Sequence, residues 1–273
     1  TTGGTSVPNG SKLNLCLCGH TITGPEGSGA SVFFVNTGMT IGDCATTPGQ
    51  IISRNDAYGS VMYLYEHNGA TTVDIFAGTL RSAMASQTKD GGIIYIGNQG
   101  KNLATLNLYG GTIVGKSVTE NGGAVNIIKG NRLNMYGGWI TGGAAKNGGA
   151  IRMSDGSTFN MYGGTIGNNS ATASGGAIYA KGTCKLQLRG GTITDNSATT
   201  DGGSIYITDT VTLEIYDGAT VTKGTAGNEG GNVRNGSKTS FNIYGGAITY
   251  GNAKSGGNLM LFGPLNMYGG KIT

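Results

Sequence analysis

The sequence predicts an all-β protein wound as a right-handed parallel β-helix, a solenoid of about ten coils with three short strands per coil. Three observations predict it. A hexapeptide of the form Leu-Asn-Met-Tyr-Gly-Gly recurs, with its Tyr position at 109, 136, 162, 189, 216, 244 and 268. A second marker, Gly-Gly followed by a small and then an apolar residue, recurs at 122, 148, 175, 202, 230 and 256, so both markers keep one step of 24 to 28 residues. Within a repeat, apolar and polar residues alternate with the period of two that marks a strand and not with the 3.6 of a helix.

The first strand of a coil is the Leu-Asn-Met element. Its inward column is expected to run Leu15, Met39, Val73, Leu106, Leu133, Phe159, Leu186, Leu213, Phe241, Leu265. Gly-Gly then bends the chain, and Trp139-Ile140-Thr141 or Thr192-Ile193-Thr194 makes the second strand. A turn follows at Lys116, Gly143, Asn169, Asn196, Gly224 and Gly251, where Gly and Asn tolerate positive φ and Lys116 has no explanation. Two residues on, Val118, Ala145, Ala171, Ala198, Ala226 and Ala253 are small enough for a tight inward corner. The third strand, as in Gly-Gly-Ala-Ile-Tyr-Ala, points Ile151, Ile178, Ile205 and Val233 inward. Like stacks on like, and the chain reads as a single domain over 1–273, with longer irregular coils in 1–100 and regular coils in 101–273.

Composition excludes several classes. Gly is 54 of 273 residues with only 4 Pro, so a collagen-like Gly-X-Y chain is out, and 12% charged residues argue against charge-driven disorder. A formal net charge of +4, scattered along the chain, makes no case for nucleic acid, and no apolar run reaches the ~18 residues of a membrane span. Thr1-Thr2-Gly3-Gly4-Thr5 lacks a Met start and a signal-peptide pattern, and Lys271-Ile272-Thr273 stops within a coil. The expectation is a fragment of a longer protein, monomeric, with end-to-end contact open to its uncapped coils.

Ile166-Gly167-Asn168-Asn169 followed by Gly175-Gly176-Ala177-Ile178 resembles the FxxN and GGAI repeats of chlamydial polymorphic outer-membrane proteins, with Ile in place of Phe. Leu15-Cys16-Leu17-Cys18-Gly19-His20-Thr21-Ile22 is similar to the start of β-helix domains in surface proteins of Gram-positive gut bacteria. The resemblance covers nearly the whole chain and its motifs are structural. It implies an extracellular, adhesin-like module of the bacterial cell surface and brings no active site.

The candidate site is the outward face beside the Leu-Met columns. One outward column reads Cys18, Gly42, Phe76, Tyr109, Tyr136, Tyr162, Arg189, Tyr216, Tyr244, Tyr268, and the next reads Cys16, Thr40, Asp74, Asn107, Asn134, Asn160, Gln187, Glu214, Asn242, Asn266. A third stripe reads Phe34, Tyr63, Tyr95, Asn126, Arg152, Tyr179, Tyr206, Arg234, Met260. An aromatic platform flanked by amides suits an extended glycan, because sugars stack on ring faces and bond to amides. The competing reading is that Tyr-on-Tyr stacking only stabilises the sheet, with Arg189 as a cation–π insert. Regular Thr-x-Thr ranks suggest an ice-binding plane, but Gln50, Trp139, Gly167, Ala247 and Lys271 interrupt it.

Catalysis needs carboxylates gathered on one face, and the 14 acids are dispersed, so no enzyme and no cofactor are expected. Asp195 and Asp201 read as solvated turn residues, with calcium contact left open. His20 and His67 are lone. The four cysteines lack the paired spacing of a zinc site, so no metal is expected. With Cys18 level with Gly42, Cys44 lies diagonal to it, and a Cys18–Cys44 disulfide is one outcome; Cys16 and Cys18 do not bridge each other, and Cys184 is a small buried residue. The reading that follows is a non-enzymatic extracellular adhesion or glycan-binding module whose expected partner is a glycan or a host or matrix surface ligand, with a purely structural stalk and a polysaccharide-active enzyme as the alternatives.

Overall fold

The computed structural model describes residues 5–7, 10–27, 29–65, 69–97 and 103–273. They form a parallel β-solenoid of about ten coils, with no helix among the described residues. Three ten-stranded sheets run its length. The first goes from Thr5–Val7 to Leu259–Leu261, the second from Lys12–Cys16 to Leu265–Met267, the third from Thr21–Glu26 to Lys271–Ile272. Each strand pairs in parallel with its equivalent one coil away, so ten coils span roughly 48 Å at strand spacing.

A fourth sheet was not expected. Six short strands, from Ser86–Gln87 to Thr225–Ala226, stack at the corner where small residues were foreseen. Four of the six strands have only two residues, which leaves no alternation for the period of two to mark, and the sequence therefore shows three strands per coil. The small residues of that corner, from Val118 to Ala226, are buried as expected, while Ala253 in the last coil is only half-buried.

Register corrects the first coil. Leu13, not Leu15, pairs with Met39, and Leu15 pairs with Ile41. The inward column therefore runs Leu13, Met39, Val73, Leu106, Leu133, Phe159, Leu186, Leu213, Phe241, Leu265, and it is fully buried from Met39 to Phe241. Burying each such side chain contributes roughly 1.5–3 kcal/mol, and each does so against the same column of its neighbours. The two-residue slip has a local cause. Later coils turn the second-to-third-sheet corner on two residues, Gly-Gly in most and Ala77-Gly78 or Asp217-Gly218 in two, whereas the first two use residues 17–20 and 43–49.

The Gly-Gly corners are steric necessities. Gly138 sits at φ 79°, and a Cβ there would lie 2.7 Å from the Gly111 carbonyl oxygen of the preceding coil. At Gly149 a Cβ would lie 2.2 Å from the Gly176 oxygen and 2.3 Å from the Ser170 oxygen. Coils can stack at this distance only where the side chain is absent.

The Asn corner works differently from the expectation. Positive φ falls one residue earlier, at Gly142, Asn168, Asp195, Lys223 and Tyr250. Asn169 and Asn196 are instead buried and cap backbone groups. Asn169 Oδ1 accepts from Gly143 N at 2.9 Å, and its Nδ2 donates to the Gly167 oxygen at 3.0 Å and to Asn196 Oδ1 at 3.0 Å. Where the corner residue is Gly224, Asn232 supplies the oxygen from the next strand region, accepting from Gly224 N at 2.9 Å. Lys116 takes the same place at the irregular end. It is 95% shielded from solvent, and its Nζ reaches back to Ser82 Oγ at 3.2 Å and the Asn55 oxygen at 3.5 Å. Burial lowers its pKa to about 8, with Asp56 opposing that fall.

Candidate functional site

The second sheet presents the expected aromatic column. Its members are level with one another in the order Cys16, Gly42, Phe76, Tyr109, Tyr136, Tyr162, Arg189, Tyr216, Tyr244, Tyr268, so Cys16 and not Cys18 heads it. Tyr109, Tyr136, Tyr162, Arg189, Tyr244 and Tyr268 are exposed and Tyr216 is half-buried. The rings do not lie flat on the surface. Phe76, Tyr109, Tyr136 and Tyr162 stack face to face with centroids 4.6–4.9 Å apart and planes within 5–7° of parallel. Tyr216, Tyr244 and Tyr268 form a second stack at 5.0 and 5.1 Å, capped by the Arg189 guanidinium 4.4 Å from the Tyr216 centroid. Ring faces are thus spent on ring faces along the solenoid axis, and edges look outward.

The amide column is equally self-engaged, and it begins at Asn14, which pairs with Thr40. Asn160 donates to Asn134, Asn134 to Asn107, and Asn107 to Asp74, each at 2.8 Å. On the other side Gln187 donates to Glu214 at 2.5 Å. The two ladders run in opposite directions to two carboxylates, and at their divide Asn160 Oδ1 is buried without a hydrogen bond. Asp74 and Glu214 are ladder ends with their own cations, Lys12 at 3.8 Å and Lys185 at 3.4 Å. Burial opposes the ionisation of Glu214, but bonds from Gln187 and Tyr216 and the Lys185 charge outweigh it and hold its carboxyl below the ordinary value.

The third stripe is level as expected from Phe34 to Met260. It is not outward throughout, since Asn126 is buried between Tyr95 and Arg152. Its early end forms an aromatic cleft of about 490 Å³, lined by Gly29, Ala30, Ser31, Phe34, Ala57, Tyr58 and Tyr63. Phe34 and Tyr63 stack at 5.3 Å, Tyr63 and Tyr95 at 5.1 Å, and Tyr58 meets Tyr95 edge-on at 5.2 Å with Lys89 Nζ 5.4 Å from the Tyr58 centroid. The position before Phe34 in the column is Ser6, so the column itself places no ring on that face, and Tyr65 lies tilted against Phe34 at 5.3 Å. Phe76 likewise faces Gly42, where a Cβ would meet nothing within 4 Å. Sequence reasoning passed over Tyr58, because it lies in an irregular loop outside both columns.

Three cysteines converge at the expanded corners. Cys18 Sγ lies 2.9 Å from Cys44 Sγ and 3.2 Å from Cys16 Sγ, and Cys16 and Cys44 are 3.5 Å apart, all three exposed free thiols. Cys18 has φ 48°, and pairing of Cys16 with Gly42 sets Cys18 level with Cys44 rather than diagonal to it. The Asp43 carboxylate fastens the loop, accepting from Gly49 N, from Ala45 N at 3.1 Å and from Gly19 N at 2.9 Å. Those bonds hold its carboxyl below the ordinary range. Hydrogen bonds from Cys18 and Cys44 lower the Cys16 pKa, whereas those that Cys18 makes with Cys44 first and Cys16 second raise its own to about 12. Cys184 is buried as expected, and burial pushes its thiol up.

Among the described residues the trio is the one place where three or more His, Cys, Asp or Glu ligand atoms meet; Asp195 and Asp201 join no such group. His20 is exposed, and His67 lies outside the described residues. Comparison with family models, with curated proteins and with solved structures returns no match for the chain.

Proposed function

We propose that the chain is a non-enzymatic, rod-like binding module of an extracellular bacterial surface protein, and that it takes a glycan at the aromatic cleft of the early coils. The observation that carries this reading is the 490 Å³ cleft, lined by Tyr58, Tyr63 and Phe34, where Phe34 stacks on Tyr63 through one face and has Ser6 rather than a ring before it in the column. An apolar concavity with aromatic walls suits a sugar ring, which stacks its C–H face on an arene. The surface location rests on the resemblance of the Gly-Gly-Ala-Ile repeats. The non-enzymatic reading rests on the employment of Asp74 and Glu214 as ladder ends.

The Tyr109 to Tyr268 column, with Asn107, Asn134 and Asn160, serves this reading less well than its sequence suggested. Its ring faces and amide donors are engaged by neighbouring coils, leaving edges and hydroxyls for a ligand. That self-engagement favours a second reading, a stalk that only holds other domains away from the cell. A glycan array with the full chain separates these readings. Binding that falls at least tenfold in Tyr58→Ala and persists in a Tyr136→Ser/Tyr162→Ser variant supports the cleft. Loss in the stripe variant alone moves the site to the Tyr column, and a folded chain that binds nothing leaves the stalk.

A further inference from the structure

We propose that Cys16, Cys18 and Cys44 form a binding site for a thiophilic d¹⁰ metal ion, Zn(II) or Cu(I), held by three thiolates on the exposed corner of the first two coils. Three Sγ atoms lie within 2.9–3.5 Å of one another on two successive coils, a convergence that the 16, 18, 44 spacing conceals. Metal–sulfur bonds of about 2.3 Å need sulfurs about 3.8 Å apart in a tetrahedral set and about 4.0 Å apart in a trigonal one, so the triangle must open by at most about 1.1 Å. Exposed side chains reach that by small χ1 rotations.

Three features make the cluster more than a chance meeting. The corner is built out of insertions, residues 17–20 and 43–49, at the place where later coils turn on two residues, Gly-Gly in most of them and Ala77-Gly78 or Asp217-Gly218 in the others. Cys18 also holds a left-handed backbone conformation, which residues other than glycine rarely adopt, with its thiol against the other two. The Asp43 carboxylate, bonded to three backbone N–H groups, fixes the loop that carries Cys44. A preformed ligand set of this kind lowers the ordering cost of binding.

Soft sulfur donors select Zn(II) and Cu(I) over Mg(II) or Ca(II). Cu(I) accepts three sulfurs as a complete trigonal set; Zn(II) adds a water as its fourth ligand. Binding replaces three S–H bonds with three metal–sulfur bonds and releases the protons to solvent, with no change of oxidation state.

The test uses the full chain, reduced and kept free of oxygen, titrated with Zn(II) in competition with a chromophoric chelator and separately with Cu(I) supplied as its acetonitrile complex. One ion per chain in either titration is the expected result. Affinity should fall roughly tenfold or more in each of Cys16→Ser, Cys18→Ser and Cys44→Ser. Cys184→Ser, buried and far along the rod, should bind as the parent does. Near-UV circular dichroism of the tyrosine stacks reports folding, which substitutions at three exposed positions should leave intact. No stoichiometric binding of either ion, or a Cys16→Ser protein that binds as well as the parent, overturns the proposal.

Discussion

Replacing Lys116 by Met removes one buried amine while keeping the aliphatic stem that fills the corner. Lys116 is 5% exposed, and its Nζ has Ser82 Oγ and the Asn55 oxygen as partners with no carboxylate in contact. Its pKa falls from 10.5 toward about 8, chiefly because burial disfavours the ammonium form. Between those two values the unfolded chain binds the proton that the folded chain has released, so stability rises with pH across the window. Integrated from pH 8 to pH 10, the gain is about 2 kcal/mol. Other groups act there too. The Tyr95 hydroxyl is pushed up by burial and the Cys184 thiol likewise, and both erode stability once their unfolded counterparts ionise. They are common to both proteins and cancel in the difference. Urea unfolding of the parent and Lys116→Met at pH 8, 9 and 10 is the assay. The parent should gain about 2 kcal/mol relative to Met over this range. Parallel pH profiles, or a relative gain in the Met protein, would refute the argument.

Five further substitutions test the stacking of the coils, each by urea unfolding. Tyr136→Ala removes two ring stacks and should cost about 1–2 kcal/mol, while Tyr136→Phe keeps both stacks and should stay within about 0.5 kcal/mol of the parent. Asn169→Ala strips the Gly143 N–H of its acceptor and the Gly167 carbonyl of a donor in a buried corner, and should cost about 3 kcal/mol. Gly149→Ala drives a Cβ against two carbonyl oxygens of the next coil and should cost about 3 kcal/mol or more, whereas Gly10→Ala, with nothing within 4 Å of its Cβ, should not exceed the strain of its positive φ, about 1 kcal/mol.

Where coils repeat with one length, the sequence is legible almost residue by residue. Leu106 to Phe241 point inward, Tyr109 to Tyr268 point outward, and the Asn column lies beside them, because a strand's period of two and a coil's fixed step leave one register. Legibility fails where the step changes. The insertions at 17–20 and 43–49 hid the phase of the first coil, and with it the meeting of Cys16, Cys18 and Cys44. It fails also where the question is orientation rather than side. Tyr136 on an outward position can lie flat or stand on edge, and only the 4.8–4.9 Å contacts with Tyr109 and Tyr162 decide for the edge. Lys116 and Asn169 share a third difficulty: most of their partners come from other coils, and several are backbone atoms that carry no sequence signal.

All of this depends on equivalent residues standing one above another along a straight axis. Lys12, Arg132 and Lys185 are exposed members of one column of the second sheet, four coil steps apart for the first pair and six for Lys12 and Lys185. Pulsed electron–electron resonance between spin labels at these sites, in a background with the native cysteines changed to Ser, measures the stack directly. Backbone separations of roughly 19 Å and 29 Å are predicted, the second exceeding the first by two coil spacings. Separations that fail to grow with the number of coils between the labels would contradict the solenoid and every surface drawn on it.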